Sequence, residues 1–174
     1  MVLRATRKLL KALPLSETEL EPSDAALGDW YVNRIVVDRQ PLLLLVSSKS
    51  RLSMLAPARN VKELPERLPN MIRDRIGRLG LAPSIVDAEV QASRPVLVGK
   101  TIDRSITGQM VDFAKAVSYY VPEAGWNEAA LRMVEERLAE TPCLASRPFE
   151  QVVFPDKAAV RILREAWPAS TNRH

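Results

Sequence analysis

A continuous apolar run at residues 42–46 (LLLLV), directly behind an alternating segment at 29–38 (DWYVNRIVVD), constrains the fold more than any other feature of the chain. Alternation is typical of a strand with two unlike faces, and an unbroken apolar run is typical of a strand buried on both faces. Only Arg39, Gln40 and Pro41 connect them, which leaves room for a tight turn. The two segments predict a β-hairpin at the centre of a sheet.

The apolar run is also the longest in the chain, and it is far shorter than the roughly 20 residues that cross a bilayer. The basic N-terminus has too few apolar residues for the core of a signal peptide. Cys143 is the only cysteine, so no internal disulfide forms. We expect a soluble, cytoplasmic protein that does not interact with membranes.

Weaker patterns surround the hairpin. Strands are predicted at 2–5, 52–55, 95–98 and 151–154, and helices at 9–13, 69–80, 84–92, 105–121, 126–138 and 156–167. They predict an α+β fold in which a small, mostly antiparallel sheet is flanked by helices and followed by a helical C-terminal extension. We expect an α+β domain at 1–121 and an extension at 122–174 that packs on it. Within the helix at 105–121, Gly108 predicts a close approach by another backbone.

The only histidine is His174, the last residue, and this removes most familiar catalytic chemistry. Ser-His-Asp and Cys-His nucleophiles and His- or Cys-ligated zinc are disfavoured. We predict no catalytic residue, no metal and no cofactor. An alternative remains open, in which Asp29, Asp103 and Asp112 hold Mg²⁺ for phosphoryl chemistry, although their spacing does not require it.

The net charge of +4 is unevenly distributed. Residues 49–78 carry eight basic and three acidic side chains, whereas 123–140 carry five glutamates and two arginines. These blocks are compatible with solvated helix faces, with a surface for nucleic acid or another polyanion, or with complementary surfaces inside the fold or between subunits.

Three segments carry a resemblance to a known family: LRATRKLL at 3–10, LGDWYVN at 27–33 and DRSITGQMVDF at 103–113. In this order they resemble the pattern LRxTxKLL, LGDWYxN and RSxxGxMxDF of a family of small bacterial proteins defined as a domain of unknown function. The resemblance covers about residues 2–121. It implies no activity, ligand or cofactor.

The first and third segments place polar residues where a strand ends and a helix begins. Helix N-termini expose unpaired N–H groups that suit anions, and neighbouring parallel strands would open both junctions at one sheet edge. The candidate anion or ligand-binding residues are Arg4, Thr6, Lys8, Asn33, Lys100, Asp103, Arg104 and Ser105. The simpler alternative is that Asp103 or Ser105 caps a helix and the basic residues are solvated.

Trp30 and Tyr31 are adjacent on a strand and therefore point to opposite faces. Both are compatible with core packing, and an exposed ring beside a basic surface would instead stack on a base. The first functional hypothesis is an accessory protein that binds nucleic acid or phosphate. The alternative is a protein-interaction module, a homodimer or a regulatory partner, without catalytic activity.

Overall fold

A computed structural model of the chain describes residues 1–16, 20–144 and 152–168. His174 and Gln151, the first residue of the strand predicted at 151–154, lie outside the described residues. The strands are β1 (Val2–Ala5), β2 (Trp30–Val37), β3 (Gln40–Ser47), β4 (Ser53–Pro57), β5 (Leu97–Lys100), β6 (Cys143–Leu144) and β7 (Val152–Val153). The helices are α1 (Arg7–Leu10), α2 (Leu64–Gly77), α3 (Pro83–Ala92), α4 (Arg104–Tyr119), α5 (Glu128–Ala139) and α6 (Pro155–Ala166).

The main sheet has the order β4-β3-β2-β1-β5 and is mixed. The predicted hairpin pairs β2 with β3, and both ladders of β3 are antiparallel. β1 is parallel to both of its neighbours, because long connections return the chain to the starting end before β2 and again before β5. The α+β class is confirmed, the longer ladders are antiparallel, and β1 adds two parallel pairs.

The hairpin turn has two residues in the left-handed conformation, Asp38 with φ 47° and Arg39 with φ 62°. Positive φ at both central positions matches the right-handed twist of the flanking strands. The turn therefore brings β3 back beside β2 in a register that pairs Leu44 with Asn33 and Leu43 with Arg34.

Each face of the sheet is covered by its own group of helices. Face A, which includes Leu3, Val32 and Leu45, packs with apolar residues of α1, α2, α3 and α6. Face B, which includes Tyr31 and Leu44, packs with α4 and α5. β3 is buried on both faces, as its unbroken apolar run requires.

Residues 61–80 are predicted to be helical with breaks at Pro65 and Pro69 and a clean helix from Pro69, but helix α2 continues unbroken across Pro69. It starts at Leu64, not at Pro69, and Pro69 lies inside it. Pro69 lacks the N–H that would donate to the carbonyl of Pro65, and this normally ends a helix. Here Leu64, Leu68 and Ile72 lie on one stripe that is fully buried against face A, and this burial outweighs one lost hydrogen bond.

The two edges of the sheet are closed differently. At the outer edge of β4, Nε of Arg75 donates to the carbonyl oxygen of Ser53 at 2.9 Å, and the N–H of Leu55 donates to Oε1 of Glu135 at 2.7 Å. At β5, Ser16 exchanges two hydrogen bonds with the backbone of Val98, at 3.2 and 2.9 Å. Both edges are thus protected from pairing with another strand.

The C-terminal helices contribute to both cores. Leu131, Val134 and Leu138 of α5 lie in the face B cluster, and Leu163 of α6 lies in the face A cluster. Trp167 donates from Nε1 to Oε2 of the buried Glu89 of α3 at 2.8 Å. The described part of the predicted last strand is β7, which pairs with β6 in a separate two-stranded sheet.

The close approach predicted at Gly108 is wrong, since a Cβ added there would meet no atom within 4 Å. Among the described residues, no helix combines the length and the apolar character that spanning a membrane requires.

Candidate site at the strand ends

The turns after β1 and β5 lie side by side. The two strands are parallel neighbours with Ala5 opposite Lys100, and the N–H of Thr101 donates to the carbonyl of Ala5 at 3.3 Å. The helices that follow leave in opposite directions, since Leu9 of α1 packs on face A and Ile106 of α4 on face B. Adjacent parallel strands with diverging connections open a crevice at their carboxyl ends, where α/β proteins commonly bind ligands.

We call this region the strand-end surface and define it by residues 6–8, 33–34 and 100–105. Thr6 connects this surface to β2. Its N–H donates to the carbonyl of Val32 at 3.1 Å, and its hydroxyl donates to Oδ1 of Asn33 at 3.0 Å. The oxygen of the Asn33 amide is thereby used inside the protein, and its nitrogen remains a donor for another partner.

Arg4 does not belong to this surface. It is 8% exposed, and its Nε donates to Oδ2 of Asp29 at 3.0 Å. The same carboxylate accepts the N–H of Val2 at 3.0 Å through Oδ1. Arg4 and Asp29 therefore join the start of β2 to β1, and the predicted anion-binding role of Arg4 is replaced by a structural one.

The first turn of α4 is capped by its own sequence. Oδ1 of Asp103 accepts the N–H groups of Ser105 at 2.7 Å and Ile106 at 3.4 Å. A carboxylate at this position satisfies orphan donors and opposes the positive end of the helix dipole. The amide donors that the sequence offered to an anion are thus occupied by Asp103, while the side chains of Arg104 and Ser105 are exposed.

Basic side chains surround the strand-end surface. Lys8, Lys100 and Arg104, all predicted site residues, are exposed, as are Arg7 and Arg34. Throughout residues 1–16, 20–144 and 152–168, no carboxylate forms an ion pair with any of the five. Arg34 and Arg7 were missed by the sequence analysis, although Arg34 is the one charged side chain within β2.

The two aromatic residues proposed for stacking are buried. Trp30 is fully buried in the face A cluster and Tyr31 is 2% exposed in the face B cluster. Burial raises the pKa of the Tyr31 phenol, and the nearby Arg4 lowers it by a smaller amount. A ring must be exposed to stack on a base, so the structure assigns both residues to core packing.

The segment at 27–33 is mainly structural. The N–H of Leu27 donates to the buried Glu89 at 2.9 Å, and Gly28 has φ 75° with Oγ of Ser48 only 2.3 Å from where a Cβ would lie. Only glycine combines this conformation with this space. The segment therefore fixes how the chain enters β2.

Arg51, a residue the sequence analysis did not single out, lies beside the start of α4. It is 3% exposed, has φ 65°, and donates to the carbonyl of Ser48 and, at 3.4 Å, to the hydroxyl of Ser105. Burial lowers the pKa of the guanidinium, and Asp103 partly restores it.

Burial also raises the pKa of the Cys143 thiol to about 11, which leaves this cysteine protonated and unreactive near neutral pH.

The opposite charge blocks at 49–78 and 123–140 meet inside the fold. Arg78 pairs with Glu135 and, at 3.7 Å, with Glu136, while Arg132 pairs with Asp74 at 3.0 Å. Arg75 lies 3.9 Å from the carboxylate of Glu135. Arg75 and Arg78 of the basic block are therefore neutralised by α5, whereas the described residues give no ion pair to Lys49, Arg51, Arg59, Lys62 or Arg67.

The three aspartates considered for Mg²⁺ have separate roles. Asp29 binds Arg4, Asp103 caps α4, and Asp112 lies 3.9 Å from Lys115. In the part of the chain that the structure describes, no group of three or more metal-ligating side chains is arranged to hold an ion.

Comparison with known proteins gives one result at the level of the family. No curated protein matches the chain. A family model described as a domain of unknown function (DUF6933) matches residues 2–158, which include the whole main sheet, α5 and the start of α6. The chain therefore belongs to this family.

Proposed function

We propose that the protein binds phosphate groups at the strand-end surface, with a nucleic-acid strand or a similar polyanion as its partner, and that it acts as an accessory protein without catalysis. The proposal includes a cytoplasmic location, in keeping with a single cysteine and no internal disulfide.

The supporting observation is the combination of two features in one place. β1 and β5 end side by side with diverging connections, and the exposed cations around these ends have no described ion-pair partner. Elsewhere in the described residues, Arg73, Arg78 and Arg132 are paired with carboxylates, while single exposed cations such as Arg59 and Arg164 are in no ion pair, so it is the clustering at the strand ends that distinguishes this group. Cations without an internal partner are the ones free to neutralise phosphates.

The proposed contact uses side chains and not helix amides, because Asp103 occupies the first donors of α4. Lys100 follows Val98 by two positions on β5 and Arg34 follows Val32 by two on β2, so both side chains leave from face A. Arg104 starts the helix that packs on face B. Cations within β2, at the end of β5 and at the start of α4 suit several phosphates in a row better than one isolated phosphate.

The test is fluorescence anisotropy of a labelled single-stranded oligonucleotide over a series of salt concentrations. We expect binding that weakens as salt rises, since each neutralised phosphate of a single strand contributes about 0.7 to the slope of log K against log salt. The double variant Lys100→Glu/Arg104→Glu should lower both the affinity and the slope.

A charge-matched control is Lys115→Glu/Lys157→Glu, which changes the same net charge at two exposed positions away from the strand ends. It should leave most of the binding intact. The proposal fails if the wild-type protein does not bind at low salt, or if both double variants weaken binding equally.

The alternative, a protein-interaction module, is favoured by a different feature. Leu144 and Val152 of the β6–β7 pair are each 58% exposed, and the adjacent Phe154 is 39% exposed. Neighbouring exposed apolar side chains are common at protein interfaces. Light scattering of the wild type and of Leu144→Ser/Val152→Ser tests this, and a monomer in both cases would remove the homodimer.

A further inference from the structure

A cleft of about 480 Å³ lies between α2 and α5, above β4. It is at the opposite edge of the sheet from β5 and is independent of the strand-end surface. Its volume lies in the range typical of small-molecule sites. Arg67, Asn70 and Arg75 line it from α2, and Glu128 and Leu131 line it from α5.

The cleft has a buried ion pair among its lining residues. The side chains of Arg75 and Glu135 are 2% and 6% exposed. Each carboxylate oxygen of Glu135 already accepts one hydrogen bond, Oε1 from the N–H of Leu55 and Oε2 from Nη2 of Arg78. Nε of Arg75 is 3.9 Å from this carboxylate, too far for a direct hydrogen bond.

Arg75 therefore keeps unused donors. Its Nε donates to the carbonyl of Ser53 at 2.9 Å and its Nη2 to the carbonyl of Glu135 at 3.4 Å. No acceptor in the described part of the chain meets its Nη1. The planar fork of a guanidinium matches a carboxylate, and Nη1 is the nitrogen of Arg75 that is left for a ligand.

The other lining residues determine whether the cleft favours a phosphate or a carboxylate. Three carboxylates (Asp74, Glu128 and Glu135) and three guanidiniums (Arg67, Arg75 and Arg78) line it, so the lining has no net positive charge and suits a singly charged carboxylate better than a doubly charged phosphate. Met71 and Leu131 offer apolar surface next to Arg75, which suits a ligand with a hydrocarbon part.

We propose that this cleft binds a small amphipathic carboxylic acid, with its carboxylate on the free edge of the Arg75 guanidinium and its hydrocarbon part against Met71 and Leu131. The probe for the test is hexanoate, titrated into the full chain by isothermal calorimetry or by amide NMR shifts. Hexanamide, which has the same shape without the charge, and inorganic phosphate are the comparison ligands.

We expect saturable binding of hexanoate, and binding of hexanamide and of phosphate weaker by about tenfold or more, the loss expected when a charge-assisted pair is removed. Arg75→Lys keeps the charge but not the guanidinium fork and should weaken hexanoate by a similar factor. The matched control is Arg73→Lys, the same change two residues away on an exposed side chain outside the cleft, which should have no effect.

Asn70→Trp gives a second measurement that leaves the buried pair untouched. Asn70 is exposed at the rim, and an indole there should block entry and abolish hexanoate shifts around Met71 without unfolding the chain. The proposal is overturned if hexanoate does not saturate, if hexanamide or phosphate binds equally well, or if Asn70→Trp binds hexanoate as the wild type does.

Discussion

Two arginines of this protein, Arg75 and Arg51, are almost equally buried, at 2% and 3% exposure, yet they are stabilised in opposite ways. Arg75 of α2 lies beside Glu135 of α5, a residue 60 positions away, and it contacts the edge of β4. Arg51 lies in the turn before β4 and contacts the carbonyl of Ser48, three residues away, and the hydroxyl of Ser105. No carboxylate of the described residues pairs with it.

In this protein, the counter-charge of Arg75 comes from another helix, whereas the described contacts of Arg51 are to a carbonyl of its own turn and to one hydroxyl of α4. Arg75 and Glu135 link α2, α5 and the sheet edge, and removing Glu135 leaves the charge of Arg75 buried without a carboxylate and the N–H of Leu55 without its acceptor. Arg51 mainly supports its own turn, so its removal leaves neutral acceptors behind.

The largest expected effect follows from ending the chain after residue 121. This removes Glu135 together with Leu131, Val134 and Leu138 of face B, and Leu163 of face A, but keeps both contacts of Arg51. We propose that the extension predicted at 122–174 packs on the first part through α5 and α6 and is required by it, and we expect no cooperative urea transition in the truncated chain. The measurement is a urea titration monitored by circular dichroism. A cooperative transition would show that the fold tolerates Arg75 without its partner Glu135.

Glu135→Ala should have the next largest effect. Arg75 would keep its charge in a buried position without a carboxylate, and the N–H of Leu55 would lose its acceptor. The expected loss of unfolding free energy is about 3–5 kcal/mol, measured by urea denaturation. Glu136→Ala is the control, since its exposed carboxylate is 3.7 Å from Arg78 and should contribute less than about 1 kcal/mol.

Arg51→Met should cost less, about 1–2 kcal/mol, because it removes hydrogen bonds without leaving a charge behind. Arg51→Gly separates the cost of losing the side-chain contacts from the cost of the left-handed backbone, since φ 65° suits glycine better than methionine. We therefore expect the glycine variant to be the more stable of the two. If Arg51→Met costs as much as Glu135→Ala, the contrast between the two arginines is wrong.

The smallest effect concerns Tyr31. Its phenol lies near Arg51, and a phenolate there would be a counter-charge for the guanidinium. Burial raises the pKa of Tyr31, so the folded protein keeps the phenol proton to a higher pH than the unfolded chain, in which the pKa is about 10. A group whose pKa is higher in the folded state contributes stability that is fully present below the unfolded pKa of about 10. This contribution is lost as the pH rises through the pKa of the folded state. Urea midpoints of the wild type should therefore fall more steeply above pH 10 than those of Tyr31→Phe, and equal slopes would contradict the assignment.

Much of the fold was predictable because it depends on local periodicity. The alternation at 29–38 and the run at 42–46 predicted β2 and β3, and the spacing of Ile106, Met110 and Phe113 predicted α4. Pro69 misled the prediction of α2, because its local cost is outweighed by burial against residues distant in sequence. Gly108 misled in the same way, since a close approach depends on a neighbour that the sequence does not specify.

The candidate site was predictable only in part. The two strand-to-helix junctions are neighbours, as the motif positions suggested, and Lys8, Lys100 and Arg104 are exposed there. Arg4 and Asp103 carry the kinds of charged group that bind ligands. In the structure, however, the guanidinium of Arg4 pairs with Asp29, and the carboxylate of Asp103 accepts N–H groups of α4. Nothing in the local sequence around Arg51 signals a buried arginine.

The sequence by itself determined the central hairpin, the amphipathic helices and the near absence of histidine and cysteine chemistry, because these follow from composition and from patterns within about 20 residues. Only the tertiary structure decided which charges are neutralised inside the protein and which remain for a partner. The reason is that an ion pair depends on distance and burial, and both are set by packing between elements such as α2 and α5 that the sequence separates.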